Sequence, residues 1–135
     1  MFRQRACGSD TNVLVRVLAN DDPKQSAKAR EVIEAGDIYV ATTVFLEAEW
    51  VLRSAYEYAA DDVASAFATF TGLPGIAVED PDLLALALTP TEQGFDFADA
   101  LHLGRSQGCD SSFLTFDRKL VKAAKGLSAV EARVP

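Results

Sequence analysis

The stretch "FADALHLGRSQGCDSSFLTFD", residues 97–117, contains the pattern that decides the fold. It begins with a helix-like run that carries Asp99 near its start, and it ends in a short apolar segment followed by Asp117. A helix, a glycine-containing loop and a short apolar strand in succession are typical of an α/β protein. Two acids therefore stand at the two ends of one helix–loop–strand unit, which raises the question of whether other acids reach the same place.

The rest of the chain alternates in the same way. Strands are predicted just before Asp10 and over "DIYVATT", "GIAVED", "SSFLTFD" and "SAVEARV". Helices are predicted over "NVLVRVL", "DDPKQSAKAREVIEAG", "TTVFLEAEWVLRSAY", "ADDVASAFATFTGL", "PDLLALALTPTEQG", "DFADALHLGRSQG" and "RKLVKAAKG". Short strands between helices predict an α/β fold with a mainly parallel sheet. The length of 135 residues predicts a single domain, 1–135.

Capping residues predict several helix ends. In the second helix, Asp22 is the expected N-cap, Pro23 the first helical residue and Gly36 the stop. The other predicted boundaries are a threonine cap on the third helix, a start of the fourth at Asp61 or Asp62, a limit of the fifth at Pro90 and an end of the sixth at Gly108.

The net charge of −7 argues against a protein that coats DNA through phosphate contacts. It leaves room for a nucleic-acid enzyme, because carboxylates that hold a metal ion attract phosphate once the metal is bound. The lysines of "RKLVKAAKG" are expected on a solvated helix face. Cys7 and Cys109 are expected as reduced thiols. Neither a membrane-length apolar run nor a secretory signal is recognisable, so a cytoplasmic location is expected.

Acidic residues recur after the predicted strands or early in the helices that follow them. Ligands of parallel α/β sheets bind beyond the carboxyl ends of the strands, so we expect these acids to converge on one edge. Like charges at short range repel one another, and a hard divalent cation such as Mg²⁺ or Mn²⁺ removes that conflict. The acids are Asp10, Glu47, Asp96, Asp99 and Asp117.

Other chemistries have little support in the sequence. His102 is the single histidine, which leaves no His/Cys cluster for zinc and no Ser–His–Asp machinery. The phosphate-binding patterns GxxxxGK[ST] and GxGxxG do not occur. Metal-assisted chemistry on a phosphate ester remains as the interpretation of the acids.

Four segments, "DTNVLVRVL", "TTVFLEAEWVL", "DFADALHL" and "FLTFD", resemble in order and spacing the motifs of PIN-domain nucleases. In particular they resemble the VapC toxins of bacterial toxin–antitoxin pairs, and they span residues 9–118. The first strand, within "RQRACGSD", is less apolar than is usual in the family. The resemblance implies a three-layer α/β/α fold with Asp10, Glu47, Asp99 and Asp117 as metal-binding catalytic acids. It also implies supporting roles for Asn12, Asp96 and Thr115.

The resemblance further implies a Mg²⁺- or Mn²⁺-dependent endoribonuclease that cuts single-stranded or loop regions of RNA. A toxin of this kind needs a cognate antitoxin, expected to be a small DNA-binding protein whose tail blocks the acidic groove. A homodimer is also expected, with a face supplied by the apolar helices around residues 44–70. No membrane partner is expected.

Each acid also has a structural interpretation. Asp10 and Asp117 suit N-caps, and Asp99 suits the first turn of a helix, where its charge complements the helix dipole. Glu47 is expected to point inward with Val44 and Val51, and Glu49 to form a surface pair with Arg53. Trp50 and the phenylalanines are expected in the core, and His102 is expected to be peripheral or structural rather than a general base.

Two other functions fit parts of the pattern. A receiver-type signalling domain also binds Mg²⁺, and Asp80 imitates its phospho-acceptor, but Asp10 lacks a second acid beside it and the late lysine is missing. A PIN fold that serves only as a binding module would be marked by the loss of carboxylates, and all four acids are retained.

Overall fold

The structure of the chain is a computed structural model that describes residues 7–19, 22–36, 38–106, 113–127 and 131–135. The chain divides into two compact units, Met1–Pro81 and Asp82–Pro135. Helices and short parallel strands alternate along it, so the predicted α/β class is confirmed, and the architecture is compatible with three α/β/α layers. The strands are β1 (Cys7–Gly8), β2 (Ile38–Val40), β3 (Ile76–Val78), β4 (Phe113–Leu114) and β5 (Ala132–Arg133). The helices are α1 (Thr11–Ala19), α2 (Pro23–Ala35), α3 (Thr42–Ser54), α4 (Ala60–Thr71), α5 (Pro81–Glu92), α6 (Phe97–Arg105) and α7 (Arg118–Leu127).

The first unit contains a three-stranded parallel sheet in the order β1-β2-β3. Ile38 and Val40 of the central strand are both buried, as expected for a strand with neighbours on either side in a parallel sheet. A further bond from Ser9 N–H to the Tyr39 carbonyl, 2.9 Å, extends the pairing past the end of β1. The strand predicted before Asp10 is therefore confirmed, in spite of its low apolar content.

Helix α2 begins and ends where its capping residues predict. The Asp22 carboxylate accepts a hydrogen bond from Gln25 N–H at 3.1 Å, and Pro23 is the first helical residue. Gly36 closes the helix at φ +84°, a left-handed conformation that glycine adopts without steric cost, and its N–H donates to the Ile33 carbonyl.

Helix α3 begins at Thr42, where the predicted segment begins, but its predicted threonine cap is wrong, and so is the predicted start of α4. Ala41, not a threonine, is the N-cap residue of α3, and it makes no side-chain cap. Helix α4 begins at Ala60 after Ala59, one residue before the predicted acids, which lie in its first turn. Acids in a first turn stabilise a helix through its dipole without being the N-cap, so composition alone misplaced this boundary.

The core of the first unit is built around aromatic rings. Phe45 of α3 meets Phe67 of α4 edge to face at 5.1 Å between ring centroids, and Phe70 at 6.4 Å. These three rings and Leu14 of α1 are buried, and α1 packs against both α2 and α3. Truncation of a buried phenylalanine to alanine typically costs about 3–5 kcal/mol, so this cluster is expected to dominate the stability of the unit.

The second unit contains most of α5 together with α6, α7 and the parallel pair β4-β5. Pro90 lies inside α5, which continues to Glu92, so the predicted limit at Pro90 is wrong. A proline in the last turn removes only one helical hydrogen bond, and the chain then turns at Gly94, where φ is +97°. Gly108, the predicted end of α6, lies outside the described residues, and the described helix ends at Arg105.

A small apolar cluster holds α6, α7 and β5 together. Leu103 of α6, Leu120 and Ala124 of α7 and Ala132 of β5 are buried in it, with Phe113 and Val121 packed against them. No helix in the described part of the chain is both long enough and apolar enough to cross a membrane.

Two aromatic residues that were expected in the core lie on the surface. Trp50 is 63% exposed on α3, and Phe116 is 83% exposed between β4 and α7. The prediction holds for the four buried phenylalanines, which are Phe45, Phe67, Phe70 and Phe97. Cys109 and the side chain of Cys7 lie outside the described part of the chain.

Candidate active site

Asp10 lies two residues beyond the end of β1, at the carboxyl edge of the three-stranded sheet. Its side chain is exposed, and its Oδ1 atom accepts a hydrogen bond from Val13 N–H at 3.0 Å. The expected N-cap role of Asp10 is therefore confirmed. The hydrogen bond to Oδ1 holds the carboxylate at the start of α1. A cap of this kind uses one carboxylate oxygen, so it is compatible with a further role for Asp10.

Glu79, which was not predicted to have a role, supports the same edge. It directly follows β3, and its Oε1 atom accepts a hydrogen bond from Thr42 N–H, the first residue of α3, at 2.9 Å. This bond replaces the side-chain cap that was expected from a threonine, because it satisfies an N–H group at the helix start that has no partner within the helix. The signal was present in "GIAVED", where an acid follows the strand as Asp10 follows β1.

The two glutamates of α3 occupy the opposite environments from those predicted. Glu47 is exposed, whereas Glu49 is only 2% exposed and lies on the buried face with Phe45, Ala48 and Leu52. This face follows the helical spacing i, i+3, i+4, i+7, and Glu47 falls outside it. The predicted pair of Glu49 with Arg53 is present, but it is not a surface pair, because the Glu49 side chain is buried.

The start of α6 carries Asp96 and Asp99 three residues apart. Asp96 is the N-cap, and its Oδ1 atom accepts a hydrogen bond from Asp99 N–H at 3.1 Å. Asp99 lies in the first turn and is partly buried. The cap therefore ties the backbone of one acid to the side chain of the other and keeps both at the same end of α6.

Asp117 follows β4 and caps α7. Its N–H donates to Thr115 Oγ1 at 3.0 Å, and its own Oδ1 accepts from Lys119 N–H at 2.9 Å and Leu120 N–H at 3.1 Å. The Thr115 N–H in turn donates to the Arg133 carbonyl at 3.0 Å, which fixes the segment to β5. Thr115 therefore holds the backbone of the Asp117 segment, and its supporting role in the site stays a prediction.

Two of these acids act on the carboxyl group of Asp99 within the second unit. Partial burial raises the pKa of the Asp99 carboxyl above its ordinary value, and the negative charges of Asp96 and Asp117 raise this pKa further. The positive charge of His102 lowers the pKa of Asp99, but it is the smallest of these influences. A carboxyl group in which burial and like charges act together is typical of functional sites.

The remaining predicted residues lie on the surface. Asn12 is exposed in the first turn of α1, beside a shallow groove that Arg16, Lys28 and Val32 also line. His102 is exposed in the last turn of α6. The lysines of α7 are exposed, as expected; they are Lys119, Lys122 and Lys125.

Within the second unit, Asp96 and Asp117 lie near enough to Asp99 for their charges to raise its pKa. Asp10 and Glu47 belong to the first unit, each at or after the carboxyl end of a strand. The convergence of all the acids on a single edge stays a prediction.

The carboxylates suit a hard divalent cation in their chemistry. Oxygen ligands of this kind are those that Mg²⁺ and Mn²⁺ prefer, and a cation would relieve the repulsion that raises the pKa of Asp99. Among the described residues, no three His, Cys, Asp or Glu side chains are arranged closely enough to form a complete metal site. The acids therefore suit such a metal by the kind of ligand they offer, and not by their arrangement in the described residues.

Parallel strands followed by acids define an α/β protein with an acidic candidate site. The PIN-domain family model matches residues 9–126, which is most of the chain, and the chain belongs to the PIN-domain family. PIN domains are generally nucleases and usually bind divalent metal ions. Neither a comparison with curated proteins nor one with solved structures gives a match.

Proposed function

We propose that this PIN domain is a metal-dependent endoribonuclease and the toxin of a toxin–antitoxin pair. The observation that carries the nuclease part is the partly buried Asp99, whose pKa is raised by burial and by Asp96 and Asp117. A fold stabilised only by capping has no need of three acids whose charges oppose one another. Since PIN domains are generally nucleases, catalysis of phosphodiester cleavage would explain why these acids lie near one another.

In this proposal Asp10, Glu47, Asp99 and Asp117 hold Mg²⁺ or Mn²⁺. When bound, such an ion lowers the pKa of water and stabilises negative charge on a phosphate ester. Asp96 and Thr115 orient Asp99 and Asp117 through the backbone bonds described above. Asn12 is proposed as a supporting residue at the start of α1, next to Asp10.

The toxin role implies partners. We propose a small cognate antitoxin that covers the acidic groove, RNA as the substrate, a homodimer and a cytoplasmic location. The exposed Trp50 on α3 lies within the range 44–70 proposed for the dimer face, and a large exposed aromatic ring is typical of such contacts. A reading frame for a small protein next to this one would support the toxin assignment without any experiment.

The test of catalysis is to incubate the purified protein with total RNA in Mg²⁺, in Mn²⁺ and in EDTA. We expect cleavage with either metal and none in the chelator. Asp99→Asn is the control for a contaminating nuclease, because it keeps the shape of the side chain and removes its charge. Cleavage that continues in EDTA, or that is equal in Asp99→Asn, would refute the metal mechanism.

The alternative functions make different predictions. Membership of the PIN family removes the support for a receiver-type domain, because the match covers residues 9–126. A non-catalytic PIN module would bind RNA or protein and would show no metal-dependent cleavage under any of these conditions. The same incubation therefore separates the binding module from the nuclease.

A further inference from the structure

Phe116 is the most exposed of the large apolar side chains in the described part of the chain, with 83% of its surface open to solvent. A ring in this position gains little from folding, because apolar surface contributes to stability only when it leaves water. The segment that carries the ring is nevertheless well held. Thr115 and Asp117 on either side of it make backbone and side-chain hydrogen bonds to β5 and α7.

The surroundings of Phe116 are charged. Asp117 follows it directly, and next come Arg118 and Lys119, both exposed, in the first turn of α7. The cations of α7 lie on one side of the helix, opposite the buried Leu120 and Ala124, as the helical rotation of about 100° per residue requires. An exposed ring is therefore followed directly along the chain by a candidate active-site acid and then by a helix with a basic face.

We infer that Phe116 is a stacking platform for an unpaired base of a single-stranded RNA substrate, with its backbone phosphates on the basic face of α7. This inference rests on the proposed ribonuclease function and specifies which form of RNA the site accepts. Single-strand sites typically combine aromatic rings, on which bases stack, with cations that follow the phosphates. A duplex keeps its bases stacked on one another and does not offer one to the ring.

A protein partner fits this surface less well. The centre of a protein–protein interface is depleted of charged residues, whereas Phe116 is followed along the chain by an acid and two cations. Leu114 is 52% exposed two residues earlier and provides the matched control, because it is aliphatic and has no π face. A hydrophobic protein contact would use both side chains, and base stacking would use the ring alone.

The experiment measures binding separately from cleavage. Each variant is made in the Asp99→Asn background, and the Kd is measured in Mg²⁺ by fluorescence anisotropy. The probes are a short labelled single-stranded RNA of mixed sequence and the same strand annealed to its complement. Thermal melts verify that every variant is folded, which the exposure of Phe116 leads us to expect.

We expect Phe116→Ala and Phe116→Leu to raise the Kd for the single strand about tenfold, and Phe116→Trp to retain the native Kd. Leu114→Ala should change the Kd little, and duplex binding should be weak and unaffected by the ring. Arg118→Ala should lower the salt dependence of binding by about one phosphate contact, whereas Phe116→Ala should leave it unchanged.

Native-like binding by Phe116→Leu or Phe116→Ala would overturn the inference, as would a failure of the folded protein to bind the single strand. A change from dimer to monomer in Phe116→Ala, with RNA binding intact, would assign the ring to a protein interface and would also overturn it. A failure of the proposed nuclease function would give a different result from a failure of the stacking inference. If the native protein binds RNA through Phe116 but does not cleave it with metal, the stacking site stands and the nuclease activity does not.

Discussion

In α3 the buried acid Glu49 is paired with Arg53 one turn later, whereas at the start of α6 the partly buried Asp99 lies near two further acids, Asp96 and Asp117. The Glu49 side chain is almost fully removed from water, whereas Asp99 is only partly buried. The cation of Arg53, on the same helix, compensates Glu49 for its lost hydration. The negative charges of Asp96 and Asp117 instead make the ionised form of Asp99 less favourable. Burial alone therefore does not distinguish these two acids, but the sign of the neighbouring charge does.

The largest expected effect separates the two glutamates of α3. Glu47→Gln should lower RNA cleavage about 100-fold or more, because loss of one group that stabilises transition-state charge typically costs about 10²–10³ in kcat. Glu49→Gln should retain the native specific activity when assayed below its melting temperature. The measurement is the initial rate of RNA cleavage in Mg²⁺ for both variants. A larger loss of activity in Glu49→Gln would show that the buried acid, not the exposed one, belongs to the site.

The next effect is on stability, where substitution of Glu49 should have a larger effect than substitution of Glu47. Glu49→Gln should reduce the free energy of unfolding by about 1–3 kcal/mol, since it leaves the Arg53 guanidinium without its buried anionic partner. The lower part of this range is expected, because Arg53 is partly exposed and water screens it. Glu47→Gln should have the same free energy of unfolding as the native protein. Denaturant unfolding monitored by circular dichroism gives both values, and equal stability of the two variants would contradict the structural role of Glu49.

A smaller effect compares the caps of α2 and α6. Asp22 and Asp96 each accept an N–H bond from the residue three positions later at 3.1 Å, so each aspartate-to-alanine substitution removes one cap, worth about 1 kcal/mol. Asp96→Ala also removes a negative charge that acts on Asp99. Its net cost should therefore be below that of Asp22→Ala at neutral pH. A greater loss in Asp96→Ala, measured by the same unfolding experiment in EDTA, would mean that repulsion at the start of α6 is negligible.

The smallest effect is a pH dependence. Because folding raises the pKa of Asp99, the folded state holds this proton more tightly than the unfolded chain does. The stabilisation that follows is complete below the ordinary value of 3.8 and is lost as the pH rises through the raised pKa. The melting temperature of the native protein relative to Asp99→Asn should therefore fall as the pH rises from 3.8 toward neutrality. Asp96→Ala should weaken this trend and Asp22→Ala should keep it; no trend at all would contradict the charge arrangement.

The sequence predicted the element order because hydrophobic spacing and capping residues are local signals. The start of α2 at Asp22 and Pro23 and its end at Gly36 follow from such signals and are confirmed. The threonine cap predicted for α3 is wrong, because the N–H of its first residue is satisfied by Glu79, a residue distant in sequence. No pattern near Thr42 contains that information.

The candidate site was predictable in residue type but only partly in orientation. The strand-end acids were identified from their positions, and two of them, Asp96 and Asp117, are close enough to affect the pKa of Asp99. The inward orientation assigned to Glu47 was wrong because Val44 and Val51, which shared its predicted face, are only partly buried, and the buried stripe lies on Phe45, Ala48 and Leu52. Phe116 was misassigned because an aromatic residue next to a strand is usually buried, and composition cannot reveal an exception.

The central claim is that Asp99 is a metal-site carboxylate held among like charges, and thermal melts of the native protein and Asp99→Asn test it most directly. Each protein is melted at neutral pH in EDTA and in Mg²⁺. In EDTA, Asp99→Asn should melt at the native temperature or above it, because the substitution removes a charge that the fold must otherwise accommodate. Mg²⁺ should raise the melting temperature of the native protein more than that of the variant, because a ligand stabilises the folded state by an amount that increases with its affinity for that state. If Asp99→Asn melts well below the native protein in EDTA and Mg²⁺ affects both equally, Asp99 is a structural residue and the metal-site account is contradicted.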